Sequence, residues 1–335
     1  MKSPWSAPLA GLLIVAASCG PSNSPAAPPL PSAPEPAISP PLIATPAGAV
    51  FALGGAPEGA VILSGGLVAI AVRNPDGLVV FDLSAPDQRR LVPLNGAARH
   101  LELAGPDGPV LVPQETNDRL VEVALPSGDL VRSVPVGRQP HDAAVARSGR
   151  IFVGDELVNT VHLIDPDGTA TVLAGPVQPG GLAASPDGST VVVVGVRGRQ
   201  LMAFRADGRV IGTASCGVGP THVTAGGGGV FWVADTNGGA VLGFRIGSHG
   251  PRQVARIVVG DRPYGLAYDP ARNTLWVTLT ATNQLVGLDL RDTTVVHRVT
   301  YQSVRQPNSV TVDSATGMLV VTGSEPAGSV EVIGG

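Results

Sequence analysis

Apolar and polar residues alternate with a period of two along most of the chain, in short runs separated by Gly, Pro, Asp and Asn. One stretch contains four consecutive runs, at residues 139–146, 151–155, 159–165 and 169–175. Alternation of this kind, with many β-branched residues in the runs and turn-forming residues between them, is typical of half-buried β-strands. The pattern therefore predicts an all-β protein made of short antiparallel strands.

The four-strand unit repeats along the chain. In most copies the first run begins at a proline, which we call the anchor, and successive anchors are 39 to 44 residues apart. The anchors are Pro57, Arg99 in the place of a proline, Pro140, Pro179, Pro220, Pro263 and Pro307. Four strands in about forty residues is the size of one blade of a β-propeller. Seven anchors therefore predict a seven-bladed β-propeller with four-stranded antiparallel blades.

The two ends of the repeat region predict how the ring closes. Only three strands follow Pro307, the last of them at residues 329–333, and a lone apolar run at residues 49–55 precedes Pro57. We expect the lone run to complete the last blade as its fourth strand, since this pairing leaves no edge strand open. The propeller is therefore predicted to span residues 48–335.

Two stretches carry the repeat in its most specific form: QPGGLAASPDGSTVVVVG, which begins at Gln178, and RPYGLAYDPARNTLWVT, which begins at Arg262. They resemble the YVTN repeats of seven-bladed propellers, which are related to the lactonase-like and NHL-like propellers. The matching features are a proline before the inner strand, a Pro-Asp-Gly turn, and an Asp that ends the second strand in some blades. The resemblance implies a fold and leaves the activity open, because propellers include enzymes, electron-transfer subunits and binding platforms.

The N-terminal region has the pattern of a bacterial lipoprotein signal. Lys2 is followed by a nine-residue apolar run at residues 9–17 and then by Ser18 and Cys19. A charged start, a short apolar run and small residues describe a secretory signal, and Ala-Ala-Ser-Cys resembles a lipobox. Nine residues span only ~14 Å as a helix, too short for a bilayer core of about 30 Å. We expect residues 1–18 to be a signal peptide and Cys19 to carry diacylglycerol and palmitate; in the alternative, the protein is simply secreted.

The segment after Cys19 supports a lipid anchor. Residues 20–46 contain ten prolines and a single charged residue, Glu35. Such a composition forms no packed core and stays extended. Residues 19–47 are therefore predicted to be a semi-rigid spacer between the lipid and the propeller, which places the protein on the extracytoplasmic face of the cell membrane.

The residue after each anchor is expected to face the mouth of the central channel. These residues are Glu58, His100, His141, Gly180, Thr221, Tyr264 and Asn308. His222 lies one position further along, out of phase with the other two histidines, and a one-residue shift in a strand reverses the face. With Arg262, which precedes an anchor, the polar members of this set are candidates for binding a small polar ligand. Imidazole and carboxylate groups also bind divalent metals, although polar residues are expected at any wet channel mouth.

Other conspicuous residues are predicted to be structural. Phe152, Trp232 and Trp276 occupy one equivalent place in the second strand of three blades, where large side chains fill the wedge between twisted sheets. Of the two cysteines, Cys216 has no disulfide partner if Cys19 is acylated, and it is predicted to be a small buried residue.

Composition and missing motifs narrow the function. Charged residues make up 14% of the chain and the formal net charge is −4, so no surface for nucleic acid is expected. The sequence has no GxSxG, HExxH or CxxCH motif and no Gly-rich phosphate loop leading into a helix. These absences favour a binding module over an enzyme.

We therefore expect a monomeric binding or scaffolding module of the bacterial envelope, held on the membrane by its lipid. Its partner is expected to be an envelope protein or a small polar ligand, and no cofactor is predicted. The alternative is a lactonase-like hydrolase built at the channel mouth around Glu58, His100, His141 and Asn308. An electron-transfer subunit would need a partner to supply its cofactor.

Overall fold

The computed structural model of the chain describes Met1 and residues 29–334. The chain forms two compact units, Met1–Leu30 and Pro31–Gly335, and every strand described lies in the second unit. Apart from Met1, the predicted signal peptide (residues 1–18) lies outside the described residues, and so does the predicted lipidation site, Cys19. No helix in the described part of the chain is long and apolar enough to cross a membrane.

The second unit consists of seven four-stranded antiparallel sheets, which we call blades 1 to 7 in the order of their anchors. The inner strands are β2 (Ala56–Ile62), β6 (Glu102–Leu103), β10 (Pro140–Val145), β14 (Pro179–Ala184), β18 (Pro220–Ala225), β22 (Pro263–Asp269) and β26 (Pro307–Val312). The second strands are β3 (Leu67–Arg73), β7 (Val110–Gln114), β11 (Ile151–Asp155), β15 (Thr190–Gly195), β19 (Val230–Asp235), β23 (Thr274–Leu279) and β27 (Leu319–Gly323). The predicted seven-bladed all-β fold is confirmed.

The two outer strands of each blade complete the sheets. The third strands are β4 (Gly77–Asp82), β8 (Arg119–Val123), β12 (Thr160–Ile164), β16 (Gln200–Arg205), β20 (Ala240–Gly247), β24 (Gln284–Arg291) and β28 (Ser329–Ile333). The outermost strands are β5 (Arg90–Pro93), β9 (Leu130–Pro135), β13 (Ala170–Ala174), β17 (Val210–Ser215), β21 (Gly250–Val258), β25 (Thr294–Gln302) and, in blade 7, β1 (Ala49–Ala52).

The ring closes through the N-terminal strand, as predicted. β1 pairs with β28 from Ala49 opposite Val332 to Ala52 opposite Ser329, and inner strand β26 contacts β2. A buried carboxylate strengthens the closure: Glu331 accepts hydrogen bonds from the backbone N–H of Gly48 at 2.8 Å and from the hydroxyl of Ser303. Backbone hydrogen bonds from both ends of the propeller therefore hold blade 7 together.

The wedges between neighbouring blades form the hydrophobic core. Within residues 31–334, each of the seven interfaces holds one cluster of buried apolar residues drawn from its two blades. Trp232 and Trp276 lie in two of these clusters, as predicted. Each indole faces a glycine on the third strand, Gly243 or Gly287, where an added Cβ would come within 3.0 or 2.6 Å of the ring. The missing side chain makes the room that each tryptophan needs.

The Asp that ends some second strands has a structural role. Asp155 Oδ1 accepts a hydrogen bond from the backbone N–H of Gly137 at 3.0 Å, and Asp235 Oδ1 accepts one from Gly219 at 2.7 Å. Each donor lies in the loop that leads into the inner strand of the same blade, so each carboxylate fixes that loop. Cys216, a free thiol in the cluster between blades 4 and 5, is fully buried as predicted.

The predicted anchor of blade 2 is wrong by one residue. Ala98, and not Arg99, pairs with Gln114, as Pro140 pairs with Asp155 in blade 3. The small alanine takes the place of the proline, and the Arg99 side chain reaches the carboxylate of Glu115. Arg99 therefore follows the anchor, and His100 lies two positions after it.

Candidate functional site

Two successive positions of the inner strands come together at the channel, because these strands contain bulges. In blades 3, 5 and 6 the pairing with the second strand shifts register just after the anchor. A bulge inserts an unpaired residue and changes the direction of neighbouring side chains. The first position after the anchor, which we call ring one, is occupied by Glu58, Arg99, His141, Gly180, Thr221, Tyr264 and Asn308. The next position, ring two, is occupied by Gly59, His100, Asp142, Gly181, His222, Gly265 and Ser309.

The expectation that His222 is out of phase with His100 is wrong. Both histidines belong to ring two once Ala98 is recognised as the anchor of blade 2, and their Nε2 atoms lie 3.0 Å apart. His141, in ring one, joins them, with its ring centroid 4.8 Å from that of His100. One nitrogen of each imidazole lies within 4.8 Å of the nitrogens of the other two.

Glycines in ring two allow the inner strands to approach each other closely. A Cβ added to Gly59 would lie 2.9 Å from the Cα of His100, and a Cβ on Gly181 would lie 2.9 Å from the Cα of His222. Contacts this short would push the neighbouring blade away. The alternation of glycine with larger residues therefore lets two histidines from distant blades meet at the centre of the ring.

A third set of residues follows the second strand, and sequence reasoning missed it. Glu115 and Glu156 come directly after β7 and β11. Glu115 Oε2 lies 2.5 Å from Arg73 Nη2, and its Oε1 lies 3.2 Å from Arg99 Nε and 3.3 Å from His141 Nδ1. Glu156 Oε2 lies 3.4 Å from the same His141 nitrogen. The repeat does contain a signal for these two glutamates. Each follows the second-strand residue that pairs with the anchor, so their position can be found in every blade.

Several polar atoms of this network are buried with poor hydrogen-bond geometry. Arg73 Nε, Arg99 Nε, Glu115 Oε1 and His141 Nδ1 have no hydrogen-bond partner among the described residues, although oppositely charged atoms lie near them. Buried polar groups are nearly always hydrogen-bonded. These unsatisfied atoms mark the network as a place where a polar ligand gains affinity.

The tautomer of His222 follows from its neighbours. Its Nδ1 lies 3.1 Å from the carbonyl oxygen of Tyr264, and a carbonyl only accepts, so this nitrogen carries the proton. Burial lowers the pKa of His222 to about 3 and holds the pKa of His100 well below its usual value, with further lowering from the neighbouring histidines. Both rings are therefore neutral at pH 7, and the lone pair of His222 Nε2 faces His100.

His141 has the opposite character. Burial opposes its protonation, but the close carboxylates of Glu115 and Glu156 outweigh burial and raise the pKa of His141 to about 9. Burial also disfavours ionised Glu115, yet His141 and the two arginines together bring its pKa down to about 2. His141 and Glu115 thus form a buried ion pair beside the two neutral histidines.

The channel opens into a polar cavity beyond the histidines. Its volume is about 310 Å³, and its lining includes His100, His222 and Asn308 together with the carboxyl groups of Glu102 and Asp142. Burial raises the pKa of each of these two carboxyl groups to about 7. Groups that titrate near neutrality inside a cavity are typical of functional sites.

The other end of the channel is covered by residues 31–40, which we call the strap. Ala33, Pro34 and Glu35 enclose a space of only about 30 Å³ over Arg99 and His141. The strap lies within the segment predicted as a spacer (residues 19–47), and those spacer boundaries stay a prediction.

Hydrogen bonds hold the strap to the rim of the channel. Gln306 Nε2 donates to the carbonyl of Ala37 at 2.7 Å, and Asn283 Nδ2 donates to that of Pro40 at 2.9 Å. Arg262 contacts the strap too, since its Nη1 lies 3.4 Å from the carbonyl of Glu35. Of the predicted site residues, Arg262 is therefore a rim residue, away from the three histidines.

The remaining predicted site residues lie around the histidines. The Tyr264 ring packs edge-on against His222 with centroids 4.3 Å apart. Glu58 Oε1 is 3.8 Å from Arg73 Nε. Asn308 accepts a hydrogen bond from Gln306 at 3.3 Å, which links the cavity to the rim.

Comparison with known proteins identifies the fold. No family model matches the sequence, and no curated protein matches it. Among solved structures, a streptogramin B lyase is 14% identical, with a TM-score of 0.71 over 86% of this chain and 98% of that one. Virginiamycin B lyase from Staphylococcus aureus is 15% identical, with a TM-score of 0.71 over 85% and 99%. A chain of a mitotic checkpoint complex is 13% identical, with a TM-score of 0.73 over 97% and 99%.

At these identities the likeness extends to the fold alone. The neighbours are seven-bladed propellers with different roles, as expected for a fold that hosts many functions. The resemblance to YVTN repeats stays a prediction.

Proposed function

We propose that this protein is a binding module whose channel takes up a small polar ligand. The observation that carries the proposal is the cavity of about 310 Å³ lined by His100, His222, Asn308, Glu102 and Asp142. This volume is at the lower end of the range for small-molecule pockets, about 300–1,000 Å³. The lining offers acidic, imidazole and amide groups, which suit a ligand rich in hydrogen-bond donors.

The strap supports a single direction of entry. It covers Arg99 and His141 at one end of the channel, so a ligand reaches the histidines from the opposite end. A channel closed at one end holds its ligand more completely than an open pore does.

A thermal-shift and calorimetric screen tests the proposal. The probes are amino acids, amino sugars, hydroxy acids and lactones, applied to the wild type, to Asn308→Leu and to the outer-strand control Val172→Thr. We expect one class to stabilise the wild type and the control by about 2.7 kcal/mol at a concentration of 100 times Kd. Asn308→Leu should lose most of this gain. If no class shifts the wild type, or if Asn308→Leu responds as the wild type does, the channel is not the binding site.

A second function is favoured by one specific observation, the cavity in which Glu102 and Asp142 lie with His100 and His222; burial raises the pKa of both carboxyl groups to about 7. Such groups suit general acid–base catalysis, as a lactonase-like hydrolase or a lyase requires. One virginiamycin B lyase structure contains quinupristin. Turnover of a series of lactones, or consumption of quinupristin by the purified protein, would support this alternative. In that case Asp142→Asn should abolish turnover. Circular dichroism checks its fold, because the Asp142 carboxyl group also accepts hydrogen bonds from the backbone N–H groups of Ala143 and Leu182.

We further propose that the module works in the bacterial envelope, anchored by lipid at Cys19. The support is the sequence pattern of a short apolar run ending in Ala-Ala-Ser-Cys. Labelling with an alkyne analogue of palmitate, followed by membrane fractionation, should mark the wild type and leave Cys19→Ser unlabelled. Equal membrane association of the wild type and Cys19→Ser would contradict a lipid anchor at Cys19.

A further inference from the structure

We infer that His100, His141 and His222 form a binding site for a divalent transition metal of the zinc class at the inner end of the channel cavity. The three side chains come from blades 2, 3 and 5 and meet only because the ring brings them together. One ring nitrogen of each lies within 4.8 Å of the other two. Zn–N bonds of about 2.0–2.1 Å in tetrahedral geometry separate two ligand nitrogens by about 3.3 Å. The 3.0 Å between the Nε2 atoms of His100 and His222 is close to that separation.

The orientation of His222 is that of a metal ligand. Its Nδ1–H donates to the backbone carbonyl of Tyr264, which leaves the Nε2 lone pair directed at His100. Histidines that bind metals almost always donate their other N–H to a carbonyl or carboxylate in this way, which fixes the ring and its tautomer.

His141 has the corresponding carboxylate partners. Its Nδ1 lies 3.3 Å from Glu115 and 3.4 Å from Glu156, so the other nitrogen of the ring is available to a metal. Glu156 is held in place by Gln139 and Gln178, whose amides donate to its two oxygens at 2.9 and 2.6 Å. A carboxylate that contacts one nitrogen of a histidine, while the other nitrogen binds the metal, is a recurrent arrangement around zinc.

Glu115, His141 and Glu156 could be taken as an alternative ligand set, since their ligand atoms also lie close together. Glu115, however, is already bound by the guanidinium groups of Arg73 and Arg99, which would repel a cation placed on it. The carboxylates therefore support His141, and the imidazoles supply the ligands. Imidazole suits Zn, Cu and Ni, whereas Mg and Ca prefer oxygen ligands.

The surrounding charges also favour a cation. Metal binding releases the proton of His141, and the network around the site then contains three carboxylates, Glu58, Glu115 and Glu156, and two guanidinium groups, Arg73 and Arg99. A single negative charge in excess at a buried site attracts a divalent ion. His100 and His222 also line the cavity of about 310 Å³, so a fourth coordination position is open to a ligand there.

The metal alone serves as the probe. The full-length protein is treated with a chelator, and Zn²⁺ is then titrated calorimetrically, with the metal content measured after gel filtration. We expect one Zn²⁺ per chain at sub-micromolar Kd, and Co²⁺ should give the visible spectrum of a tetrahedral site. His222→Gln and His141→Gln should each weaken binding by roughly 100-fold or more, and Glu156→Gln by about 10–100-fold. His297→Gln, an exposed histidine on β25, is the matched control and should bind as the wild type does.

Two results would overturn the inference: less than half an equivalent of bound Zn²⁺ in the wild type, or equal affinity in the wild type and both channel variants. Circular dichroism of each metal-free variant shows whether it is folded; if one histidine variant is not, Glu156→Gln and the Co²⁺ spectrum still decide. The inference rests on the proposed function only where it assigns the fourth coordination position of the metal to a ligand in the cavity. A propeller that binds a small ligand without metal would pass the ligand screen and fail this titration.

Discussion

The wedges between the blades and the channel at their centre contain opposite kinds of residues. The wedge between blades 5 and 6 is aliphatic and aromatic around Trp232, whereas the channel holds arginines, glutamates and histidines with unsatisfied polar atoms. Wedge positions repeat from blade to blade. Ring two instead reads Gly, His, Asp, Gly, His, Gly and Ser around the axis. Positions that specify the fold are thus separate from positions that differ from blade to blade.

The largest expected effect comes from emptying a wedge. Trp232 has no exposed surface, and Trp232→Ala should lower the free energy of unfolding by about 3–5 kcal/mol, because it removes buried contacts and leaves a cavity opposite Gly243. Urea denaturation at pH 7 measures the loss. The matched channel variant His222→Gln removes the hydrogen bond to the Tyr264 carbonyl and the contact with His100 Nε2, and should cost about 1–2 kcal/mol. Equal losses of unfolding free energy in the two variants would contradict the expected difference between wedge and channel residues.

A smaller effect is expected in the pH dependence of stability, which should differ between channel and wedge variants. In protein stripped of divalent ions, His222 faces His100, His141, Arg99 and the Tyr264 carbonyl, and burial keeps its pKa at about 3. The unfolded chain binds a proton on this residue below about pH 6.5, and the folded chain does not. The wild type should therefore lose stability as pH falls from 6.5, by up to about 1.4 kcal/mol per pH unit from this residue.

The variant His222→Gln should lose stability less steeply over the same range. Urea midpoints between pH 7 and pH 4.5 provide the measurement. Trp232→Ala serves as the wedge control, and its pH profile should run parallel to that of the wild type. Parallel profiles for the wild type and His222→Gln would show that His222 binds its proton in the folded state.

The smallest effect is expected at the perimeter. Val172 lies on outermost strand β13 and is 59% exposed, so Val172→Thr should change the free energy of unfolding by less than about 0.5 kcal/mol. Val192, on second strand β15 of blade 4 at its interface with blade 5, is fully buried, and Val192→Thr should cost about 1–3 kcal/mol because it buries a hydroxyl group. Thermal unfolding of the two variants compares them directly. A larger loss for Val172→Thr would contradict this ranking by burial.

Much of the fold was predictable because strand patterns are local. The predicted second strand of blade 3, residues 151–155, matches β11, and the predicted last strand matches β28. Closure by the lone N-terminal run also followed from the pattern, since one blade lacked a strand and one strand lacked a blade.

The candidate site was predictable only in part, because it depends on single-residue offsets. The blade 2 anchor, Ala98, is not a proline, so the repeat pattern alone predicts Arg99 in its place and assigns His100 the wrong phase. The bulge after the anchor changes which side chains meet at the axis, and alternation alone does not reveal a bulge. Glu115 and Glu156 lie beyond the strand ends that periodicity marks, so their part in the network required three-dimensional proximity.

The closure of blade 7 has a consequence for synthesis on the ribosome. β1 is made first, yet its partner β28 begins 277 residues after β1 ends. At about 5–20 residues per second, the strand waits roughly 15 to 55 s for its partner. Three of its four residues are exposed even in the finished blade. The ring therefore closes only after β28 has emerged, and a nascent chain that stops short of Ser329 carries an unpaired first strand.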